Sequence, residues 1–351
     1  MSSIPRVSVL MVVRNGMPYI RQAVESLFGQ TMHDWELIIA DDGSTDQTPL
    51  YCRSLTDSRV RYFPLGQVGL VEARNFTLRT ARAPLVAVLD ADDLAMPERL
   101  QRQHEFLQEH PDCVLLGAQV EDVDPEGRPI GRREFPLEDE ALRWRLFFGM
   151  PFIHPSSMFR REAALACGGY RPEFPLAEDY DLFTRLAEHG RLANLPQCLL
   201  RYRIHPKSLT SERLEVQLRC SAEVASQYAL RYVPDINPTA VRDLYYFLCV
   251  DRDPQETTGR QMAEAFGKIR SGYLAHVPSM GEELRQEMSR TQQVLRWRCL
   301  ERAEKNWRRP WRAWQWLRLA GRFDPDQGAL GQIALRALKK SFRIKGIGRE
   351  N

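Results

Sequence analysis

Asp90, Asp92 and Asp93 follow a short apolar run, residues 84–89, that predicts a buried strand. Side chains two apart on an extended segment share a face, which lets Asp90 and Asp92 point together into a cleft at the strand's carboxyl end. Two carboxylates held close repel each other unless a cation lies between them. Mg²⁺ or Mn²⁺ held by so few protein carboxylates takes phosphate oxygens as further ligands. An acid-rich first helical turn would explain the same residues, since the helix dipole favours negative charge there. A second acidic turn, Asp41-Asp42-Gly43-Ser44-Thr45-Asp46, closes another apolar run at 35–40. Gly43 permits a tight turn, and Ser44, Thr45 or Asp46 can cap the next helix. Capping explains one acid but not a pair at the strand's end, where a carboxylate can accept from a nucleobase imide or from ribose hydroxyls. A third pair, Glu178-Asp179, opens a helical segment at 180–189. It reads either as first-turn acids or as a base able to take a proton from a hydroxyl.

These residues need a scaffold, and the first third of the chain supplies alternating signals. Strands are predicted at 7–13, 35–40, 60–63, 85–89 and 113–120, with helices at 19–27, 48–55, 69–82 and from Pro97 to about His110. Such alternation implies right-handed βαβ units and a mostly parallel sheet covered on both faces. The stretch 122–136 reads as a loop turning at Asp124-Pro125-Glu126-Gly127, and 138–148 as a helix. Residues 151–205 are mixed. Strand signals then largely stop, and helices are predicted at 214–231, 239–250, 259–274 and 282–307. The expected organisation is an α/β catalytic domain over 1–215 and a helical extension over 216–351.

The 351 residues carry a formal net charge of only +3, which excludes a protein built to coat nucleic acid. That mean hides a strongly basic segment from Arg290 onward, with 16 Lys and Arg against 5 Asp and Glu. Seven scattered cysteines without a Cys-x-x-Cys pair fit reduced thiols rather than a disulfide framework or zinc site. The N-terminus shows no secretory signal and no window suggests a membrane span, so a cytosolic location is expected, with attachment to the inner membrane face as a variant.

Taken in order, the motifs resemble family 2 glycosyltransferases of the glycosyltransferase-A fold. Residues 7–16 are similar to that family's opening strand, 23–31 to its first helix, and 35–46 to its nucleotide-binding turn. Gly69-Leu70-Val71-Glu72-Ala73-Arg74-Asn75 resembles its Arg-Asn segment, Ala177-Glu178-Asp179-Tyr180 its catalytic Glu-Asp motif, and Leu200-Arg201-Tyr202-Arg203-Ile204-His205-Pro206 the segment closing the domain. The likeness covers about residues 5–210. It implies that Asp42 meets a uracil-like edge with Asp41 nearby, that Val12, Arg14 and Arg74 line the nucleotide-sugar site, and that Asp90 faces ribose and metal. It further implies that Asp92 ligates a divalent cation with His205 as a further contact, and that Asp179, beside Glu178, is the general base of an inverting transfer. His154 and Ser156 would lie on the acceptor side. Two departures stand out: Arg14 replaces a common aromatic, and Thr77 a common small residue.

The expected activity is transfer of a sugar from a nucleotide-sugar donor, UDP-linked by preference, to a glycan or lipid-linked acceptor in surface-polymer or O-chain assembly. A nucleotidyltransferase would need a Gly-rich basic loop where Arg14-Asn15-Gly16-Met17-Pro18 stands. A non-catalytic binding protein on the same fold is the other alternative, and intact Asp92 and Asp179 argue against it. Trp297, Trp307, Trp311, Trp314 and Trp316, interleaved with arginines, fit either a membrane surface or packing on the catalytic domain. Leu335, Leu338 and Phe342 extend this amphipathic pattern. No nucleic-acid partner is expected.

Overall fold

The structure, a computed structural model, describes residues 4–206, 213–306 and 309–323. Its opening strands are almost uninterrupted apolar runs. β1 (Val7–Val13), β2 (Trp35–Asp41) and β4 (Leu85–Val88) bury nearly every side chain, the pattern of parallel strands covered on both faces. β3 (Val60–Pro64) completes a parallel set in the spatial order β3-β2-β1-β4. α1 (Tyr19–Phe28), α2 (Thr48–Ser54) and α3 (Leu70–Thr80) are the connections between these strands. Register brings the carboxyl ends together: Val13 pairs with Asp41, and Leu10 with Val88. A hydrogen bond from Leu89 N to Leu10 O then sets the exit of the chain toward Asp90.

Beyond β4 the sheet is mixed. β8 (Met158–Arg160) runs antiparallel to both β4 and β6 (Cys113–Val123), and β9 (Arg191–Arg203) runs parallel to β6. The two-residue β5 (Leu94–Ala95) pairs antiparallel with β9. Between these strands lie α4 (Arg99–Glu109), α5 (Asp139–Arg145), a 3-10 turn (His154–Ser156), α6 (Arg161–Ala166) and α7 (Glu178–Leu186). Arg99, buried on α4, donates from Nη2 to Val88 O (2.7 Å) and Ser157 O (3.2 Å), joining the ends of two strands under the Asp90 turn.

Two sequence expectations change here. The stretch expected as a loop folds into β7 (Pro129–Arg133), a hairpin on β6 turning through Gly127 at φ +85°. Four of the five residues of β7, Pro-Ile-Gly-Arg-Arg, are exposed and the strand shows no apolar alternation, while its proline and arginines suit a protected sheet edge. β9 was hidden within the mixed stretch because a register shift and Pro196 interrupt its pattern.

The chain forms two compact units, one running to Leu146 with Met150–Val224, the other comprising Phe147–Gly149 with the chain from Ala225. The division falls inside α8 (Leu214–Tyr232). The second unit contains α9 (Pro238–Cys249), capped by Asn237, and α10 (Gly259–Leu274), opened by a Thr258/Gln261 capping box. α11 (Glu282–Lys305) and α12 (Pro310–Arg322) complete it. Phe147 packs on Tyr228 and Tyr273, and Phe148 on Phe266. Among the described residues no helix is long and apolar enough to cross a membrane. Trp307, Leu335, Leu338 and Phe342 lie outside the described residues.

The β6–β9 contact leaves no room at Gly117. A Cβ there would stand 2.0 Å from Asn194 Oδ1 and 2.7 Å from Phe152, and Asn194 is held by hydrogen bonds to Pro136 O and Pro151 O. Gly117→Ala is expected to cost about 1–3 kcal/mol in urea unfolding. Gly267→Ala, in α10 with no atom within 4 Å of the added carbon, is expected to gain about 1 kcal/mol in the same assay.

Candidate active site

A cavity of about 620 Å³ opens at the carboxyl ends of β1 and β4, and all its lining residues belong to the first unit. Its size is that of a small-molecule site, about 300–1,000 Å³, and its position is the ligand crevice of an open α/β sheet. Val12 and Arg14 enter from β1, Asp90 and Asp92 from β4, Arg74 from α3, Glu178 and Asp179 from the start of α7, and His205 from the end of β9. Residues far apart in sequence thus share one hollow, with His154 at its wall.

Negative charge is concentrated after β4. Ligand oxygens of Asp90, Asp92 and Asp93 lie within 4.8 Å of one another. Burial, opposed by Arg74 and reinforced by Asp92, pushes the Asp90 carboxyl up to about 6. Asp93 is 1% exposed, its Oδ2 has no hydrogen-bond partner, and burial drives its protonation far above the usual carboxylate range. The crowding also acts on Arg99: burial brings its guanidinium down to about 10, while Asp93 and Asp90 resist that fall. His205 Nε2 lies 2.9 Å from Asp92 Oδ2. Three crowded carboxylates, an orphaned buried oxygen and an adjacent imidazole fit a divalent cation of the Mg²⁺ or Mn²⁺ class.

Arg203 holds this turn in shape. It is 2% exposed, donates from its backbone N to Asp93 Oδ1 (2.8 Å) and from Nε to Asp92 O (2.8 Å). Its Nη atoms reach Pro125 O (2.6 Å) and Gln22 Oε1 (2.7 Å), and its guanidinium lies 4.7 Å from the centroid of the Tyr19 ring. One buried side chain therefore joins the acidic turn, the β6–β7 hairpin and α1.

Across the cavity, Glu178 is 1% exposed and accepts from Arg74, while its Oε2 is buried without a partner. Asp179 remains partly exposed and accepts from Tyr180 N at 2.7 Å. Burial, then the neighbouring Glu178, raises the Asp179 carboxyl to about 7, with Arg74 opposing. A carboxylate titrating there is matched to proton transfer near neutral pH. Arg74 is raised further above its ordinary value by Glu178, Asp90 and Asp179, against the effect of burial. Leu176, just ahead of α7, lines the cavity at φ +66°, a left-handed conformation that costs a leucine about 1–3 kcal/mol.

Other expected site residues have different duties. Asp41 is 2% exposed with both oxygens engaged, Oδ1 by Ser44 N (2.8 Å) and Oδ2 by Tyr62 Oη (2.7 Å), so its carboxylate is fixed in the turn and does not line the cavity. Asp42 also lies outside the lining. Its Oδ1 accepts from Gly69 N at the head of α3, and its backbone N donates to Val13 O at the rim. Ser44, Asp46 and Thr48 accept from the backbone N–H groups of Asn15, Met17 and Gly16, so the acidic turn pins the loop carrying Arg14. Ser156 is fully buried, with Oγ donating to Ile153 O, and does not line the cavity. His154 Nε2 pairs with Tyr170 Oη at 2.9 Å, and burial holds the ring neutral, far below the usual imidazole range. Tyr170 is in turn gripped at its N and O by Asn75.

The chain matches the model of glycosyl transferase family 2 over residues 8–168. It is 31% identical over 214 residues to the O-antigen biosynthesis glycosyltransferase WbnJ of Escherichia coli, covering 59% of this chain and 83% of that protein. The chain belongs to glycosyl transferase family 2. This glycosyltransferase is also 29% identical over 191 residues to the amylovoran biosynthesis glycosyltransferase AmsE of Erwinia amylovora, covering 52% of this chain and 70% of the relative. Among solved structures, S. aureus TarS 1-349 in complex with UDP-GlcNAc superimposes with TM-score 0.57 at 16% identity, covering 92% of both chains. The Pyrobaculum calidifontis mannosyltransferase in complex with GDP-Man and Mn²⁺ gives 0.52 at 16% identity over 97% of this chain and 88% of that one. These likenesses place the transferase in the glycosyltransferase-A fold.

Arg203→Lys keeps the charge but loses the fork that reaches the turn, the hairpin and α1 together. Its expected effect is a stability loss of about 1.5–3 kcal/mol in denaturant unfolding. Weakened Mn²⁺ binding by isothermal titration, about 10-fold, should accompany it.

Proposed function

We propose that this transferase is a metal-dependent, inverting enzyme that moves a sugar from a nucleotide-sugar donor, UDP-linked by preference, to a hydroxyl of a glycan or lipid-linked acceptor in surface-polymer assembly. The observation that carries this reading is that a crowded acidic turn suited to a divalent cation and an Asp179 titrating near 7 line the same cavity. The roles of the relatives in O-antigen and amylovoran biosynthesis, and the UDP-GlcNAc and GDP-Man complexes of the fold neighbours, support the donor and pathway classes.

In this mechanism Asp92, Asp90 and His205 would hold the cation, with Asp93 buried next to them. When bound, the cation supplies Lewis-acid stabilisation of the charge that grows on the departing nucleoside diphosphate. Arg74, oriented by Glu178, adds a fixed positive charge on the same side. Arg14 lies exposed at the mouth, where a guanidinium plane can stack on a nucleobase in place of an aromatic ring. Asp42, whose backbone meets Val13 and whose Oδ1 holds the head of α3, would reach a base edge with its remaining carboxylate oxygen. Asp179 takes the proton from the acceptor hydroxyl as that oxygen attacks the sugar carbon opposite the leaving group, which inverts the anomeric centre. His154, paired with Tyr170 behind it, is a neutral part of the wall and adds no competing charge.

A thermal-shift screen of nucleoside diphosphates and nucleotide sugars, with and without Mn²⁺, is expected to give the largest shift with a uridine compound and the metal together. No shift from any compound in either condition would overturn the donor site. Asp92→Ala should lower donor turnover on the order of 100-fold or more, and Asp179→Asn transfer by about 100- to 10,000-fold. Because Asp179 works deprotonated, kcat/KM should rise with pH through about 7. Glu178→Gln removes the neighbouring negative charge that raises Asp179, so the rising limb should move to lower pH. A limb unmoved by Glu178→Gln would exclude Asp179 as the titrating base.

A further inference from the structure

We propose that the outer face of α12 docks on an anionic phospholipid surface, lying in the headgroup plane. The observations are independent of the donor chemistry and belong to the second unit alone.

α12 has two unlike faces. Leu319, Ala320 and Phe323 are buried, Phe323 packs on Phe266, and Trp316 stacks on Phe247 at 5.9 Å with the rings 3° from parallel. Arg302 closes that side, 5.5 Å from the Trp316 centroid. This inner face explains why the helix is held in place. It does not explain the other side. Trp311 is 68% exposed and Trp314 48%, and their rings stack on each other at 5.7 Å. Arg309, Arg312, Arg318 and Arg322 are exposed along the helix and its N-cap; Arg318 lies 5.2 Å from the Trp314 centroid, and Arg322 is near enough to Glu264 to help Arg260 lower its pKa. Between Pro310 and Arg322 there is no Asp or Glu.

A folded protein gains nothing in water from two stacked, exposed indoles ringed by cations. At a bilayer boundary the same residues are all satisfied. Indole buries its apolar ring among upper acyl chains while its N–H meets headgroup oxygens. Guanidinium groups pair with lipid phosphates, and an acid-free face meets no repulsion from an anionic surface. The helix is too short and too charged to span, which leaves an in-plane position. Charge complementarity therefore selects an anionic bilayer over a neutral one, and the paired tryptophans select a bilayer over a soluble polyanion.

The test is co-sedimentation of the full chain with vesicles of phosphatidylcholine alone and of phosphatidylcholine mixed with phosphatidylglycerol. Binding is expected only to the mixed vesicles, with loss at high salt and a blue shift of tryptophan emission. The double variant Trp311→Ala/Trp314→Ala should abolish it. Arg312→Gln and Arg318→Gln should each weaken it about five-fold. Both tryptophans are exposed, so the variants should fold, and their turnover of soluble donor should equal that of the parent. Equal binding to both vesicle types, no binding, or binding untouched by the tryptophan changes would overturn the proposal. So would a concentration-dependent dimer, or capture of single-stranded DNA, that the double variant abolishes in place of vesicle binding. None of these results would touch the donor-site reading, which Asp92→Ala tests separately.

Discussion

The site depends on keeping several carboxylates together in a partly dry hollow without letting them drive one another apart. Asp90, Asp92 and Asp93 crowd one wall and Glu178 with Asp179 the other. The protein answers with three arginines rather than with distance. Arg99 lies beneath the floor, Arg203 grips the turn's backbone, and Arg74 stands between the two acidic groups, drawn by Glu178, Asp90 and Asp179 at once. Arginine suits these places because its guanidinium stays charged when buried and its fork fits carboxylates and carbonyls in fixed directions. The cationic framework offsets only part of the repulsion. Asp93 and Asp90 remain shifted toward the protonated form, and an unpaired oxygen persists on Asp93. A site left short of positive charge in this way is prepared for a cation it does not itself provide.

The sheet makes that crowding possible. In a parallel set all strands end at the same edge, so β1, β2 and β4 deliver their terminal residues to one place. Their chemistry differs according to what lies above them. Asp90 follows a strand whose exit is free, and reaches the hollow. Asp41 ends a strand flanked by β3, where the Tyr62 hydroxyl and the turn's own N–H groups take both its oxygens. The acidic turn after β2 consequently works at one remove: it holds the Arg14 loop by three backbone N–H groups and, through Asp42, the start of the helix that carries Arg74.

That contrast marks what was readable in the sequence. Strands buried on both faces announce themselves as apolar runs, and acids at their ends are conspicuous, so Asp90 and Asp92 stand out in the sequence, while Arg74, Asp179 and His205 stand out through the family resemblance; all five line one cavity. Nothing in one dimension separates a carboxylate that faces a ligand from one that closes its own turn, and Asp41 was read too generously for that reason. Ser156 suffered likewise, because a hydroxyl bonded to its own 3-10 turn has the same sequence signature as one facing a substrate. Arg203 was missed as an organiser because it acts through backbone oxygens of Asp92 and Pro125, which any residue would offer. The only hint was a charged residue in a strand position that the fold buries completely. β7 carries no sequence signal because an exposed edge strand has no buried face to impose a period of two.

The ion pair between Arg74 and Glu178 carries a further consequence for how the two walls communicate. Glu178 is sealed from solvent, and its second oxygen has no partner, so its charge is compensated chiefly by Arg74. A diphosphate arriving beside Asp90 would compete with Glu178 for that same guanidinium. Were Arg74 drawn toward phosphate, the field of Glu178 on Asp179 would be less screened and Asp179 would become more basic. In the proposed mechanism the base would thus be strengthened by the leaving group it displaces, and would be weaker before a donor arrives.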